Sequence, residues 1–238
     1  MKLFLDSAKI DEIVYAIEKW GIEGVTSNPR HIKNSGKSME YFMNEAKKVV
    51  ENTNITVSVE VDPHLNKAEK IAEEAKRIAS ISENFVVKIP ATEEGLYAVK
   101  LLKDTSVKVN VTLVFNPVQA LQAARMGAYY ISPFVGWREE RGENNINYVS
   151  DIVNAVHNYG FKSQVLIAAI RNAKQIIEAI NAKADILTAG FEVYKNAFDT
   201  PYTKMGLDIF SQAWDEIKKQ EGWKWHFTNS WFTKKETV

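Results

Sequence analysis

The 238-residue sequence contains no cysteine, which excludes disulfides and thiolate metal sites and fits a reducing compartment. It has no surplus of either charge, with 30 basic and 30 acidic side chains. No global field then favours nucleic acid or an anionic membrane, and neither is expected as a partner. No apolar run approaches the roughly 20 residues of a membrane span. The opening "MKLFLDSAKIDEI" turns charged too soon for the apolar region of a signal peptide. A soluble, cytoplasmic protein is the expectation. Proline/serine-rich linkers and low-complexity tracts are also missing, so the length allows one large domain or two small ones. No glycine-rich dinucleotide fingerprint follows the first apolar run, which counts against a nucleotide-binding open sheet.

What is present is a regular alternation. Short apolar runs occur at 2–6, 24–28, 56–61, 85–91, 108–115, 129–135, 164–169 and 185–190. Amphipathic stretches such as "SAKIDEIVYAIEKW" and "NKAEKIAEEAKRIASI" lie between them. Strands alternating with helices imply a parallel sheet. Eight such units in about 250 residues match a closed (β/α)₈ TIM barrel, with a doubly wound open sheet as the alternative. A single barrel domain over 1–238 is expected, with 203–238 as an extra C-terminal helix and aromatic tail. The aromatics of "EGWKWHFTNSWF" are expected to cover a barrel end or a neighbouring subunit.

Side chains alternate faces along a strand, two residues apart. Val57, Val59 and Val61 oppose Thr56, Ser58 and Glu60; Phe85, Val87 and Ile89 oppose Val86, Lys88 and Pro90. Val109, Val111 and Leu113 oppose Lys108, Asn110 and Thr112, while Asp6 shares its face with Phe4, and Asn28 with Thr26. If the apolar parity packs on the helices, Asp6, Asn28, Glu60, Lys88 and Thr112 face the lumen. All five then stand near the carboxyl ends of consecutive strands, where barrel enzymes keep their chemistry. A lysine in an apolar wall is held partly neutral, because desolvation disfavours the ammonium. A neutral amine attacks carbonyl carbon and forms a Schiff base. One carboxylate with a positioned water can then move the protons of dehydration, and a second can take a proton from a substrate hydroxyl. Asp6, Glu60 and Lys88 supply these roles, Thr112 a site for the water, and Asn28 and Asn110 hydrogen bonds to sugar hydroxyls. A buried salt bridge from Lys88 to Glu60 or Asp6 is the structural alternative.

The segments "LFLDSAKIDEI", "GVTSNP", "VVKIPATEEGLYAVKLL", "NVTLVFNPVQALQAARMGAYYISPFVG" and "IRNAKQI" resemble transaldolase and its close relative fructose-6-phosphate aldolase, over about residues 1–215. That family consists of (β/α)₈ class I aldolases without metal or cofactor. The resemblance implies that Lys88 forms the Schiff base, that Asp6 is the acid/base for the cleaved hydroxyl, and that Glu60 and Thr112 hold the catalytic water. It also implies that Asn28, Asn110 and Ser132 contact the dihydroxyacetone portion, with Thr26 beside them. Fructose-6-phosphate aldolases typically carry glutamine where Glu60 stands and tyrosine where Phe134 stands. A phenol there could protonate the enamine and release dihydroxyacetone, which Phe134 cannot do. Transfer to an acceptor aldehyde is therefore expected over simple cleavage.

Three departures fall on the subsite for the far end of the donor. Arg30 stands where the family usually has a small hydroxyl, Trp137 intervenes before Arg138, and Ala169 replaces a hydroxyl while Arg171 is kept. Drift with compensation is one reading, with Arg138 reaching the same anion. The other is a retained negative charge of different shape, held by Arg30, Trp137, Arg138 and Arg171. A sulfonate suits guanidinium and indole donors. The donor is thus expected to be a six-carbon ketose with an anionic C6 group, either 6-deoxy-6-sulfofructose or fructose 6-phosphate, with glyceraldehyde 3-phosphate as an acceptor. A non-catalytic barrel binding an anionic sugar remains an alternative. The resemblance further implies a homo-oligomer, pentameric or decameric, built through the C-terminal helix.

Overall fold

The structure, a computed structural model, describes residues 1–145 and 147–221. The chain divides into two compact units, Met1–Lys195 and Asn196–Val238. In the first, eight strands alternate with helices: β1 (Lys2–Asp6), α1 (Ile10–Trp20), β2 (Gly24–Thr26), α2 (Pro29–Ser35), α3 (Met39–Val50), β3 (Thr56–Glu60), α4 (Ala68–Ala79), β4 (Phe85–Pro90) and α5 (Glu93–Leu102). They continue with β5 (Val109–Val114), α6 (Pro117–Met126), β6 (Tyr130–Pro133), α7 (Gly136–Glu139), α8 (Tyr148–His157), β7 (Gln164–Ile170), α9 (Ala173–Asn181) and β8 (Ile186–Ala189), and α10 (Phe191–Phe198) follows. All strands are parallel, lie in sequence order and close on themselves through the pairing of β1 with β8. This is the expected (β/α)₈ barrel.

The physical basis is the two-residue alternation. Leu5, Val25, Val57, Val59, Val87, Ile89, Val111, Ile131, Val165 and Ile167 turn outward into a buried layer with Ile13, Phe42, Ile71, Val99 and Ile152 from the helices. Each such side chain stabilises the fold by about 1.5–3 kcal/mol through burial. The opposite parity fills the barrel. Phe4, Val86, Tyr130, Leu166 and Ile186 form the lower plug, with Phe4 edge-on to Tyr130 at 5.7 Å. The Tyr130 hydroxyl lies 3.2 Å from that of Thr56. A Cβ at Gly24 would run into the Phe4 ring, so glycine at the start of β2 is what lets that ring cross the lumen.

Several helices start on side-chain caps immediately after a strand. Asn28, Thr92, Asn116 and Asn172 accept hydrogen bonds from the backbone N–H groups of His31, Gly95, Gln119 and Gln175. Proline stands at the first helical position in α2 and α6. Each cap contributes about 1 kcal/mol. Each also keeps its strand-to-helix turn short, so groups at the carboxyl ends of β2, β4, β5 and β7 sit on rigid supports.

Regular alternation fails in two places. Between Val111 and Val114, β5 carries one residue more than β6, and between Ile167 and Ile170, β7 carries one more than β8. Each bulge contains a non-glycine residue in the left-handed region, Leu113 at φ 57° and Ala169 at φ 58°. The bulge overturns the expectation for Leu113. Simple alternation puts it outward with Val109 and Val111, but the extra residue swings it inward, where it packs against the lumenal apolar group.

Of the second unit, the described part is dominated by α11 (Pro201–Glu221), the expected extra C-terminal helix. It exposes Tyr202, Met205, Leu207, Ile209, Phe210, Trp214 and Ile217. The aromatic tail expected beyond it lies outside the described residues. Among the described residues, no helix is long and apolar enough to cross a membrane.

Candidate active site

The register of the strands assembles the site. Asp6 pairs with Thr26, Glu60 with Lys88, and Lys88 with Asn110, so inward-facing polar groups stand side by side around the upper lumen. Lys88 is only 3% exposed. Its Nζ donates to the Ser27 carbonyl at 2.9 Å and lies 3.7 Å from a Glu60 carboxylate oxygen. The Asp6 carboxylate is held at both oxygens. Thr26 donates to Oδ1 at 2.8 Å, and the His31 ring nitrogen Nε2 lies 3.1 Å from Oδ2. Thr26 is itself fixed by Thr188, hydroxyl to hydroxyl, at 2.7 Å.

The two carboxyl groups are driven in opposite directions. Burial pushes Asp6 up, but the His31 hydrogen bond and charge, the Lys88 charge and the Thr26 hydroxyl together outweigh it, and the net direction is down. Burial also pushes Glu60 up, and there it prevails over the lowering effect of Lys88, with the Asp6 charge adding to the rise. One acid is thus kept ionised and its neighbour is biased toward the protonated form. Two neighbouring carboxyl groups divided in this way can serve as a proton acceptor and a proton shuttle.

Above this group opens a cavity of about 490 Å³. Its wall includes Asp6, Asn28, Arg30, Glu60, Thr112, Phe134, Trp137 and Arg171. The size and the mixed lining suit a small polar ligand. The Thr112 hydroxyl is buried without a hydrogen-bond partner among the described residues. Such a group is costly unless it bonds a ligand or water. Asn28 lies two residues past the end of β2; its carbonyl oxygen caps α2, which leaves its NH₂ for the cavity. Phe134 and Trp137 make an aromatic wall, T-shaped at 5.3 Å, with Phe115 behind them.

Thr26, Asn110 and Ser132 lie deeper. Ser132 donates to the Asn110 side-chain oxygen at 2.7 Å, and the Asn110 amide donates to Ser58 at 3.1 Å. All three residues are buried; Asn110 and Ser132 share this network beneath the cavity wall, while Thr26 bonds Asp6 and Thr188. At the mouth, Arg30 has no carboxylate partner among the described residues, and the Arg171 guanidinium lies 3.4 Å from Glu140. Arg138 is placed elsewhere. It faces a second cavity lined by Phe115, Asn116 and Tyr148, pairs with Glu143 at 2.9 Å, bonds Asn145 and stacks 4.3 Å from the Tyr148 ring. The structure does not bring it together with the other three anion-binding candidates. Alternation runs out at the end of β6, and α7 turns successive side chains away from one another.

Sequence reasoning missed His31, Ser27, Thr188 and Glu140. Ser27 contributes only a backbone carbonyl, which no sequence pattern reveals. His31 had a signal: it is the first-turn residue of the helix that Asn28 caps, which fixes it close to the rim. Among the described residues, no group of three histidine or acidic side chains converges as metal ligands.

The transaldolase/fructose-6-phosphate aldolase family profile matches residues 3–236. The chain is 50% identical over 219 residues to the 6-deoxy-6-sulfo-D-fructose transaldolase of Priestia aryabhattai, covering 90% of this chain and 96% of that protein. The corresponding protein of Priestia megaterium matches to the same degree. A probable transaldolase of Dictyoglomus turgidum is 42% identical over 219 residues, 92% of this chain and all of that one.

Proposed function

From the premise that the chain belongs to the transaldolase/fructose-6-phosphate aldolase family and is a transaldolase, we propose that it moves a dihydroxyacetone unit, through a Schiff base on Lys88, from an anionic six-carbon ketose to an aldehyde. The observation that carries the reading is the buried Lys88 amine, 3.7 Å from a carboxyl group biased toward its protonated form. The free amine attacks the C2 carbonyl of the ketose. Glu60, with a water held against the unpartnered Thr112 hydroxyl, delivers the protons that expel hydroxide as water and leave the iminium. Asp6 takes the proton of the C4 hydroxyl, the C3–C4 bond breaks, and its electrons pass into the iminium to give an enamine. The three-carbon aldehyde leaves. An acceptor such as glyceraldehyde 3-phosphate then takes its place, and the same steps run backwards.

Retention of the enamine is consistent with Phe134, which lines the cavity and offers no proton. The phenol of Tyr130 is held in the lower plug beside Thr56. For the C6 group, Arg30 and Arg171 supply two positive charges at the mouth and Glu140 one negative. That balance, the Trp137 indole, the missing hydroxyl at Ala169 and the likeness to sulfofructose transaldolases favour a monoanionic sulfonate over a phosphate dianion.

The direct test compares 6-deoxy-6-sulfofructose and fructose 6-phosphate, each with and without glyceraldehyde 3-phosphate. Faster consumption of the sulfonate, dependent on the acceptor, supports the reading. Equal rates without acceptor point to simple cleavage. Replacing Arg171 by alanine is expected to lower kcat/KM for the anionic donor by about 10–100-fold, the worth of a charge-assisted hydrogen bond. It should leave turnover of an uncharged donor such as fructose unchanged, and steady-state kinetics with both donors check this. The chain is also proposed to form a homo-oligomer, because α11 exposes a long apolar row. Sedimentation velocity is expected to show a species several times the 27.0 kDa chain mass, and a monomer alone would refute it.

A further inference from the structure

We infer that His31 is a positioning residue for Asp6: by holding one carboxylate oxygen at the rim of the barrel, it fixes the orientation of the base and sets the lower pH limit of donor cleavage. The inference rests on the proposed role of Asp6. Nε2 of His31 lies 3.1 Å from Oδ2, and Oδ1 is already bonded by Thr26. An ionised carboxylate only accepts hydrogen bonds, so Nε2 must carry a hydrogen. That assignment stops His31 from removing the proton Asp6 takes from the substrate. Asp6 therefore remains the group that delivers a proton to the acceptor's oxygen when the new carbon–carbon bond forms.

The support for His31 is rigid. It lies in the first turn of α2, its backbone N–H is bonded to the Asn28 cap at 3.0 Å, and Pro29 starts the helix. The imidazole also lines the cavity, with its side chain 29% exposed, so it is open to solvent on one side and to the carboxylate on the other. The other charged or titratable groups acting at this point are Lys88 on β4, Glu60 on β3 and Tyr194 on α10, with Arg30 next to His31 on α2. Lys88 works in the same direction as His31 on Asp6, and the Asp6 charge in turn raises Glu60. The histidine is the only one of these groups in hydrogen-bond contact with Asp6 among the described residues.

The experiment uses the full-length chain and His31→Ala and His31→Gln variants, with thermal melts to confirm folding. Three readouts are taken: single-turnover donor cleavage from pH 4 to 9, a ¹³C-carboxyl titration of Asp6, and borohydride trapping on Lys88. In His31→Ala the Asp6 titration and the acid limb of cleavage are expected to move up by about one pH unit, the effect of losing such a partner. Cleavage near neutral pH falls about tenfold, and trapping of the unbroken hexose persists. Added imidazole restores part of the rate, and His31→Gln, whose amide reaches the same point, restores most of it. If Asp6 titrates identically in wild type and both variants, or if both lose the same fraction at every pH without imidazole rescue, the inference is overturned. If wild type itself gives no trapped adduct, the Schiff-base reading fails instead, and the two failures are told apart by that control.

Discussion

Replacing Lys88 with methionine is expected to lower transfer by about 10⁴-fold or more, as loss of a covalent nucleophile does when the other groups cannot substitute. Borohydride with the ketose present will label wild type at Lys88 and leave the variant unlabelled, as read by mass spectrometry. The fold should survive. Lys88 is 3% exposed, and methionine matches its length with an apolar side chain. The substitution removes the amine 3.7 Å from Glu60, and with it the influence that lowers that carboxyl, so burial drives the carboxyl further up and disfavours an uncompensated charge there. A melting temperature within a few degrees of wild type separates chemical from structural loss. A barrel that only bound an anionic sugar would keep its ligand affinity and would show no catalytic change. Wild-type exchange rates in the methionine variant would refute the covalent mechanism outright.

Exchanging Asp6 for asparagine should cost about 10³-fold in cleavage while leaving Schiff-base formation intact, because general-base catalysis contributes about 10²–10⁴-fold. Trapped hexose should therefore accumulate on Lys88, in contrast to the three-carbon adduct expected in wild type. The pH behaviour follows from the direction of each shift. Asp6 is lowered, so its ionised form persists below the ordinary carboxylate range, and it contributes stability above its unfolded pKa that is lost as pH falls through its folded value. Glu60 is raised, so its ionisation costs folding free energy as pH climbs from the ordinary carboxylate range through its folded value. Asparagine at position 6 should remove the first contribution and, by taking away the Asp6 charge that raises Glu60, lessen the second. Urea unfolding of wild type and variant across pH 3–7 checks the sign: the variant loses its disadvantage toward the acid end.

Much of this arrangement was readable from residue order. The two-residue alternation of β3, β4 and β5 places Glu60, Lys88 and Asn110 on one face, and parallel pairing then sets them side by side. That inference needs only strand geometry and closure. It failed where geometry departs from the ideal. Leu113 is turned inward by a bulge that no local propensity signals, since leucine is a poor choice for a left-handed backbone. Arg138 is grouped with Arg171 by the family resemblance, which has an arginine after "SPFVG", yet a short helix directs it toward Glu143 and Tyr148. His31 went unnoticed because its contact spans the turn between β2 and α2, where alternation gives no guidance. Backbone partners such as the Ser27 carbonyl are invisible to any reading of side-chain pattern.

The two bulged positions have a consequence for protein engineering. Leu113 and Ala169 both hold left-handed backbone on the cavity wall, at a cost of about 1–2 kcal/mol each. Glycine relieves that cost, so laboratory selection for heat resistance has an easy route through either codon. The same exchange slackens the segments from which Thr112 and Arg171 project, and durability is then gained at the expense of turnover. Hardening of the opposite, amino-terminal rim of the barrel carries no such conflict, and libraries built there can raise tolerance without touching the chemistry.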